Sequence, residues 1–180
     1  PADGVRDIPD VAMFASNGVW NVNLATCFTD PNRGGAPCTG NPVTWAANAG
    51  GTSYATPIMA AIQAVIDQAL GGAYVGNAAP VYYQLAAKEY GTKGSAGCSA
   101  EKGKAIGASC IFHDVDSGDV VMDCVANAGK LYNCYRPSGT YGVLSTSNTS
   151  FKAAYSAGVG YDLATGLGSI NATNLFNSWP

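Results

Sequence analysis

Charge is scarce in this chain: 12% of its 180 residues are Asp, Glu, Lys or Arg, against roughly 25% in an average soluble domain. The nine basic residues are scattered. With no Lys/Arg cluster to neutralise phosphates, a nucleic-acid partner is not expected. Histidine occurs once, as His113, and no Cys-x-x-Cys is present, so the sequence gives only weak support to a zinc centre. Long apolar runs are missing as well. The longest candidate, Ile58 to Leu70, is interrupted by Gln63 and Asp67, which argues against a membrane span. Glutamate is nearly absent. Glu89 falls at the end of an expected helix and Glu101 in a polar loop, and both read as solvated surface charges rather than general bases.

Cysteine, by contrast, is plentiful, and it falls in three close pairs at 27 and 38, 98 and 110, and 124 and 134. Local disulfides are the simplest of the connectivities that six cysteines allow, each worth ~2–3 kcal/mol if unstrained. Such bridges imply an oxidising, extracellular compartment, the alternative being buried free thiols. The start, Pro1-Ala2-Asp3-Gly4, has no signal-peptide character, so a secreted protein would carry its targeting segment upstream. A chain of 180 residues can bury a sizeable core, and no linker-like stretch marks a second domain, so residues 1–180 read as one domain.

The segment best suited to chemistry is Gly50-Gly51-Thr52-Ser53-Tyr54-Ala55-Thr56-Pro57. Glycines permit close backbone approach and positive φ, and small hydroxyl residues suit a helix start. The free N–H groups of a first helical turn favour negative charge, which is what an acyl-transfer intermediate develops on its oxygen. Ser53 is therefore the candidate nucleophile, and the alternative is a serine that only caps a helix. Pro57 is expected within the first turn, where its missing N–H costs little.

Around this turn the pattern predicts strands at Asp10 to Ala15, Trp20 to Ala25 and Val43 to Ala49. A helix from about Ser53 to Leu70 is apolar almost all round, which predicts burial, and a second helix runs from Pro80 to Tyr90. A strand, turn, buried-helix order argues for an α/β layer architecture with its site at the strand-to-helix turn. Further along, Phe112-His113-Asp114-Val115 and Gly158-Val159-Gly160-Tyr161-Asp162 bring two aspartates and several exposed carbonyls. An all-oxygen cage of that kind suits Ca²⁺, although a glycine-rich turn with solvated aspartates has the same spacing, and it is not an EF-hand loop.

Three blocks occur in order: Gly50-Gly51-Thr52-Ser53 with Pro57, Phe112-His113-Asp114-Val115 with Ser117-Gly118-Asp119, and Gly158-Val159-Gly160-Tyr161-Asp162-Leu163-Ala164-Thr165-Gly166-Leu167-Gly168. Together they resemble the sedolisin (serine-carboxyl peptidase) family, in the C-terminal part of its catalytic domain. The resemblance implies a subtilisin-like α/β fold with a parallel sheet. It implies Ser53 as the nucleophile, with its own N–H in the oxyanion hole. It also implies a structural Ca²⁺ held by the carboxylates of Asp114 and Asp162 and the carbonyls of Val115, Gly158 and Gly160. Asp119 would then belong to the calcium region.

That family's base is a glutamate oriented by an aspartate, with a further aspartate in the oxyanion hole, and all three precede the Pro9-Asp10-Val11 block. They have no counterpart in this chain. A carboxylate with an ordinary pKa of about 4.3 still accepts protons at acid pH, where histidine at about 6.5 is charged. The expectation is a secreted acid endopeptidase acting on peptides or proteins, completed by an N-terminal segment of the same precursor. The rival expectation is a non-catalytic, calcium-stabilised binding or structural module. His113 has a counterpart base in subtilisins, but there the histidine precedes the serine, so His113 reads as a packed or surface residue. The segment between Asp114 and Gly158 is longer than the family pattern and carries Cys124 and Cys134. Asn148-Thr149-Ser150 and Asn171-Ala172-Thr173 fit glycosylation acceptors.

Overall fold

The computed structural model describes residues 4–15, 24–42, 45–91, 94–120, 123–125 and 134–180. They fall into two compact units, Met13–Ala78 and Pro1–Ala12 with Ala79–Pro180. The expected strands at Trp20 to Ala25 and Val43 to Ala49 lie partly outside the described residues.

In Met13–Ala78, strand β1 (Leu24–Thr26) pairs antiparallel with β2 (Ala46–Ala49), Leu24 opposite Ala49 and Thr26 opposite Ala46. The chain between them is stapled by a Cys27–Cys38 disulfide. It turns through a short 3-10 helix, Pro31–Arg33, whose start is capped by the Asp30 side chain accepting the Asn32 N–H. Helix α1 (Thr52–Ala69) follows. Its apolar residues were expected to be buried, yet only Ile66 is; Ile58, Val65 and Leu70 keep 37%, 55% and 42% of their surface exposed. A helix apolar on all sides needs neighbours on all sides, and packing here closes over one stripe of it.

The larger unit starts from helix α2 (Ala79–Glu89), which lays Tyr82, Leu85 and Ala86 into the core. A 3-10 segment, Ala100–Ala105, precedes β3 (Phe112–His113). Strands β4 (Asp123–Val125), β5 (Cys134–Tyr135) and β6 (Tyr141–Leu144) form a sheet with β6 in the middle, and β7 (Ser169–Ile170) and helix α3 (Ala172–Ser178) end the chain. Phe112 and Leu175 are fully buried, Tyr90 packs edge-on against Phe112, and Tyr82 packs edge-on against Trp179. Asn171 caps α3 by accepting the Asn174 N–H, and the Asn174 side chain donates to the carbonyls of Ala108 and Cys110. The Cys98–Cys110 and Cys124–Cys134 disulfides complete the three local pairings expected from the spacing.

The fold is a mixture of helices and small sheets, but not the parallel sheet that the family resemblance implies. All three described sheets are antiparallel: β1 with β2, β3 with β7, and β4–β6–β5. Among the described residues, parallel contacts survive only as the isolated bridges Ala12–Ser169 and Ser99–Asp114, so the expected strand at Asp10 to Ala15 is reduced to one bridge. The reason lies in the connections. A parallel pair needs a strand, a crossover helix and a second strand. After β2 and α1 the chain passes through residues 70–78 without a strand and enters α2 directly. The β5-to-β6 link, residues 136–140, is hairpin length and forces an antiparallel pair.

Glu89 also departs from its expected role as a solvated charge. Half-buried at the end of α2, its two carboxylate oxygens accept the N–H groups of Ile111 at 2.5 Å and Phe112 at 3.0 Å, fastening β3 to the helix. Glu101 is exposed as expected and accepts the Ser117 hydroxyl. Replacing Glu89 by Ala leaves two backbone donors unpaired beside the core. We expect Glu89→Ala to cost about 2–3 kcal/mol in urea denaturation and Glu101→Ala less than about 0.5 kcal/mol. Equal effects at the two positions would contradict the clamp.

Candidate functional site

Ser53 stands at the second position of α1 and is exposed. The helix is entered through Gly51, whose φ of 82° is one that a side-chain-bearing residue rarely adopts. Gly51 donates its N–H to the Ala15 carbonyl at 2.5 Å, and its own carbonyl accepts from Tyr54, closing the first turn. No side chain caps the helix, and among the described residues no acceptor engages the N–H groups of Thr52 and Ser53. Two uncapped donors at the positive end of an 18-residue helix form an anion-attracting surface beside the Ser53 hydroxyl.

Pro57 differs from expectation. With α1 starting at Thr52, it sits inside the helix rather than in its first turn. A proline there cannot donate to the carbonyl four residues before it, and that carbonyl belongs to Ser53. The nucleophile candidate thus has both of its main-chain polar groups outside the regular helical ladder. What it lacks is a base. Residues 13–78 contain no histidine or glutamate, and their aspartates are engaged elsewhere, Asp67 accepting from Gln63 at 2.7 Å and Asp30 capping the 3-10 helix.

The second constellation lies in the larger unit, where the expected metal residues come together. Asp114 is 1% exposed, and its Oδ2 accepts the Gly160 N–H at 2.7 Å, while its Oδ1 is buried with no partner. Asp162 accepts the N–H groups of Gly158 at 2.9 Å, Ala164 at 2.8 Å and Thr165 at 2.7 Å. The Thr165 hydroxyl lies 3.2 Å from both Asp162 oxygens and 3.5 Å from the Val115 carbonyl. Gly158 and Gly160 meet the carboxylates through their N–H groups, an engagement that the expectation of carbonyl donors did not include.

Burial pushes the Asp114 carboxyl above the usual carboxylate range; the Gly160 N–H partly offsets this, and the neighbouring Asp116 and Asp162 add to it. Asp116 also carries a buried oxygen without a partner, and among the described residues no Lys, Arg or His pairs with any of the three. Crowded, unneutralised oxygen donors are the chemistry that accommodates a hard cation. Glycine makes the approach possible. A Cβ on Gly168, at φ 83°, would lie 2.1 Å from the His113 carbonyl, and one on Gly94 would lie 2.9 Å from Asp114 Oδ2. Gly94 and Asp116 escaped the sequence reading. Asp116 carried a signal in its spacing two residues after Asp114, and Gly94 carried none.

Other candidates are excluded by what holds them. Glu89, Cys98 and Cys110 place ligand-type atoms close together, but the two sulfurs are bonded to each other at 2.04 Å and the carboxylate is occupied by two N–H groups. His113 is half-buried in β3 opposite Ser169. Asn148 is exposed on a loop, whereas the Asn171 side chain is committed to its cap. No described helix is long and apolar enough to cross a membrane. No protein-family model matches the chain, and neither a curated protein nor a solved structure matches it.

The acidic cluster makes a prediction in which the sign depends on the metal. In chelator, Asp114→Asn removes a buried charge and should leave the melting temperature unchanged or higher. In Ca²⁺ at a hundredfold over its dissociation constant, the unmodified protein should gain about 2.7 kcal/mol and the variant nothing. Calorimetry with and without Ca²⁺ reads both arms, and an unmodified protein indifferent to Ca²⁺ would remove the cation from this site.

Proposed function

We propose that this chain is the nucleophile-bearing part of a secreted, serine-type acid endopeptidase of the sedolisin kind. The observation that carries the reading is Ser53: an exposed hydroxyl at the uncapped start of α1, entered through a positive-φ glycine and relieved of its helical carbonyl partner by Pro57. The three disulfides support an extracellular setting. In this reading Ser53 Oγ attacks the scissile carbonyl carbon and passes its proton to a glutamate. The developing oxyanion takes the Ser53 N–H. Collapse breaks the C–N bond as the proton moves to the departing amine, and water then hydrolyses the acyl-enzyme.

The glutamate and the orienting and oxyanion aspartates belong, in this proposal, to an N-terminal segment of the same precursor. That segment would also contribute the strands of the family's parallel sheet. Asp114, Val115, Gly158, Gly160 and Asp162 would hold Ca²⁺, which when bound supplies charge compensation and pins the glycine-rich loops rather than activating water. The disulfide-stapled excursions at Cys27–Cys38 and Cys124–Cys134 would shape access for a peptide or protein substrate.

One observation favours a second reading. Ser53 has no base in its own unit, which is also what a non-catalytic, calcium-stabilised binding or structural module would show.

The deciding assay is peptide hydrolysis at acid pH by protein that retains its N-terminal segment. Ser53→Ala should lower kcat on the order of a thousandfold or more while leaving the melting temperature within about 2 °C. Activity untouched by that substitution would remove the nucleophile, and its absence from the unmodified, completed protein would leave the module.

A further inference from the structure

The loop that follows β6 is built around one buried hydroxyl. Ser145 is 1% exposed, and its Oγ accepts the N–H groups of Ser147 at 3.1 Å and Lys152 at 2.8 Å while lying 3.1 Å from the carbonyls of both Ser150 and Lys152. Its proton and both lone pairs are thereby used. Thr146 donates its N–H to the Lys152 carbonyl at 2.9 Å and closes the loop, and Thr149 donates to the Ser147 hydroxyl at 3.2 Å. Asn148 and Ser150 are exposed, and among the described residues the Asn148 amide and the Ser150 hydroxyl have no hydrogen-bond partner. The loop holds its shape without them.

Asn148-Thr149-Ser150 is an Asn-x-Ser acceptor sequence, in which the amide to be modified is followed two residues later by a hydroxyl. Asn171-Ala172-Thr173 has the same pattern in a different setting. Asn171 is half-buried, its Oδ1 accepts the Asn174 N–H at 3.1 Å, and its backbone joins Ile111 at 2.8 Å and Leu175 at 2.9 Å. Thr173 lies within α3, which the Asn174 side chain ties to the carbonyls of Ala108 and Cys110. Presenting the Asn171 amide together with the Thr173 hydroxyl opens a cap and the first turn of a helix. Presenting Asn148 with Ser150 breaks no hydrogen bond of either side chain.

We propose that Asn148, and not Asn171, is the residue at which this chain is N-glycosylated. The donor is an oligosaccharide carried on a lipid pyrophosphate. Asn148 Nδ2 attacks the anomeric carbon, and the new C–N bond replaces the C–O bond to the pyrophosphate, which departs with that bond's electron pair. One Nδ2 proton passes to a base of the transferase. The product is a bulky, hydrophilic group at a surface position. The proposal rests on the extracellular reading that the three disulfides support, and not on Ser53 or on the acidic cluster.

The test is mass spectrometry of the full chain, with any N-terminal segment it carries, secreted from a eukaryotic cell. The intact mass should fall on treatment with peptide N-glycosidase, and treatment in heavy-oxygen water should place the label at residue 148 and not at residue 171. Asn148→Gln should lose the oligosaccharide altogether. Ser150→Ala should lose it with the asparagine still in place, and Ser150→Thr should keep it, a pattern that altered loop stability alone would not give. Masses with and without reduction show whether the three disulfides have formed, so an unmodified Asn148 on a disulfide-bonded chain overturns the proposal and leaves the extracellular reading standing. A label at residue 171, or an oligosaccharide that survives Asn148→Gln, would overturn it as well.

Discussion

The larger unit is organised around a buried carboxylate. Asp114 accepts the Gly160 N–H through its side chain, while its backbone N–H bonds to the Cys98 carbonyl and its carbonyl accepts from Ala100. One residue therefore joins the stapled loop before β3 to the glycine-rich loop before β7. Burying an ion is expensive unless it is compensated, and here the compensation is partial, because Oδ1 has no partner and Asp116 and Asp162 crowd the same space. With its folded pKa raised, Asp114 binds its proton more tightly in the native chain than in the unfolded one. In the absence of metal its contribution to stability is full below the ordinary carboxylate pKa and is lost as pH rises through the raised value. Either acidity or a bound cation relieves the same strain.

The smaller unit presents the complementary problem. Its nucleophile candidate, Ser53, is exposed, and its helix keeps Ile58, Val65 and Leu70 open to solvent. Apolar residues on several faces of α1 and a serine without a base are both accounted for if further polypeptide packs here and brings carboxylates with it. Low charge and paired cysteines fit a protein that works outside the reducing cytosol.

Legibility in the sequence followed the range of the interaction. The two long helices were readable because periodicity and glycine breaks are local, and α1 and α2 begin and end within about a residue of their expected limits. The cysteine pairings were readable because each closes a short loop. The parallel sheet was not, since strand pairing joins residues far apart and the described strands are two to four residues long. Glu89 was misread for the same reason: its partners, Ile111 and Phe112, lie more than twenty residues away. The convergence of Asp114 with Asp162 was anticipated from the family pattern, whereas the close approach of Gly94 depends on chain paths that no local motif encodes.

Ser53 is the point at which the structure and the proposed function meet: its surroundings suit a nucleophile, and its unit contains no proton acceptor for it. The most direct test compares the mass of the protein under native conditions with its masses after denaturation and reduction. If the N-terminal segment of the precursor is held as a separate polypeptide, the peptidase reading predicts that it travels with this chain and contains a glutamate and two aspartates. A folded chain that travels alone would contradict it and leave Ser53 as an uncapped helix start without catalytic partners.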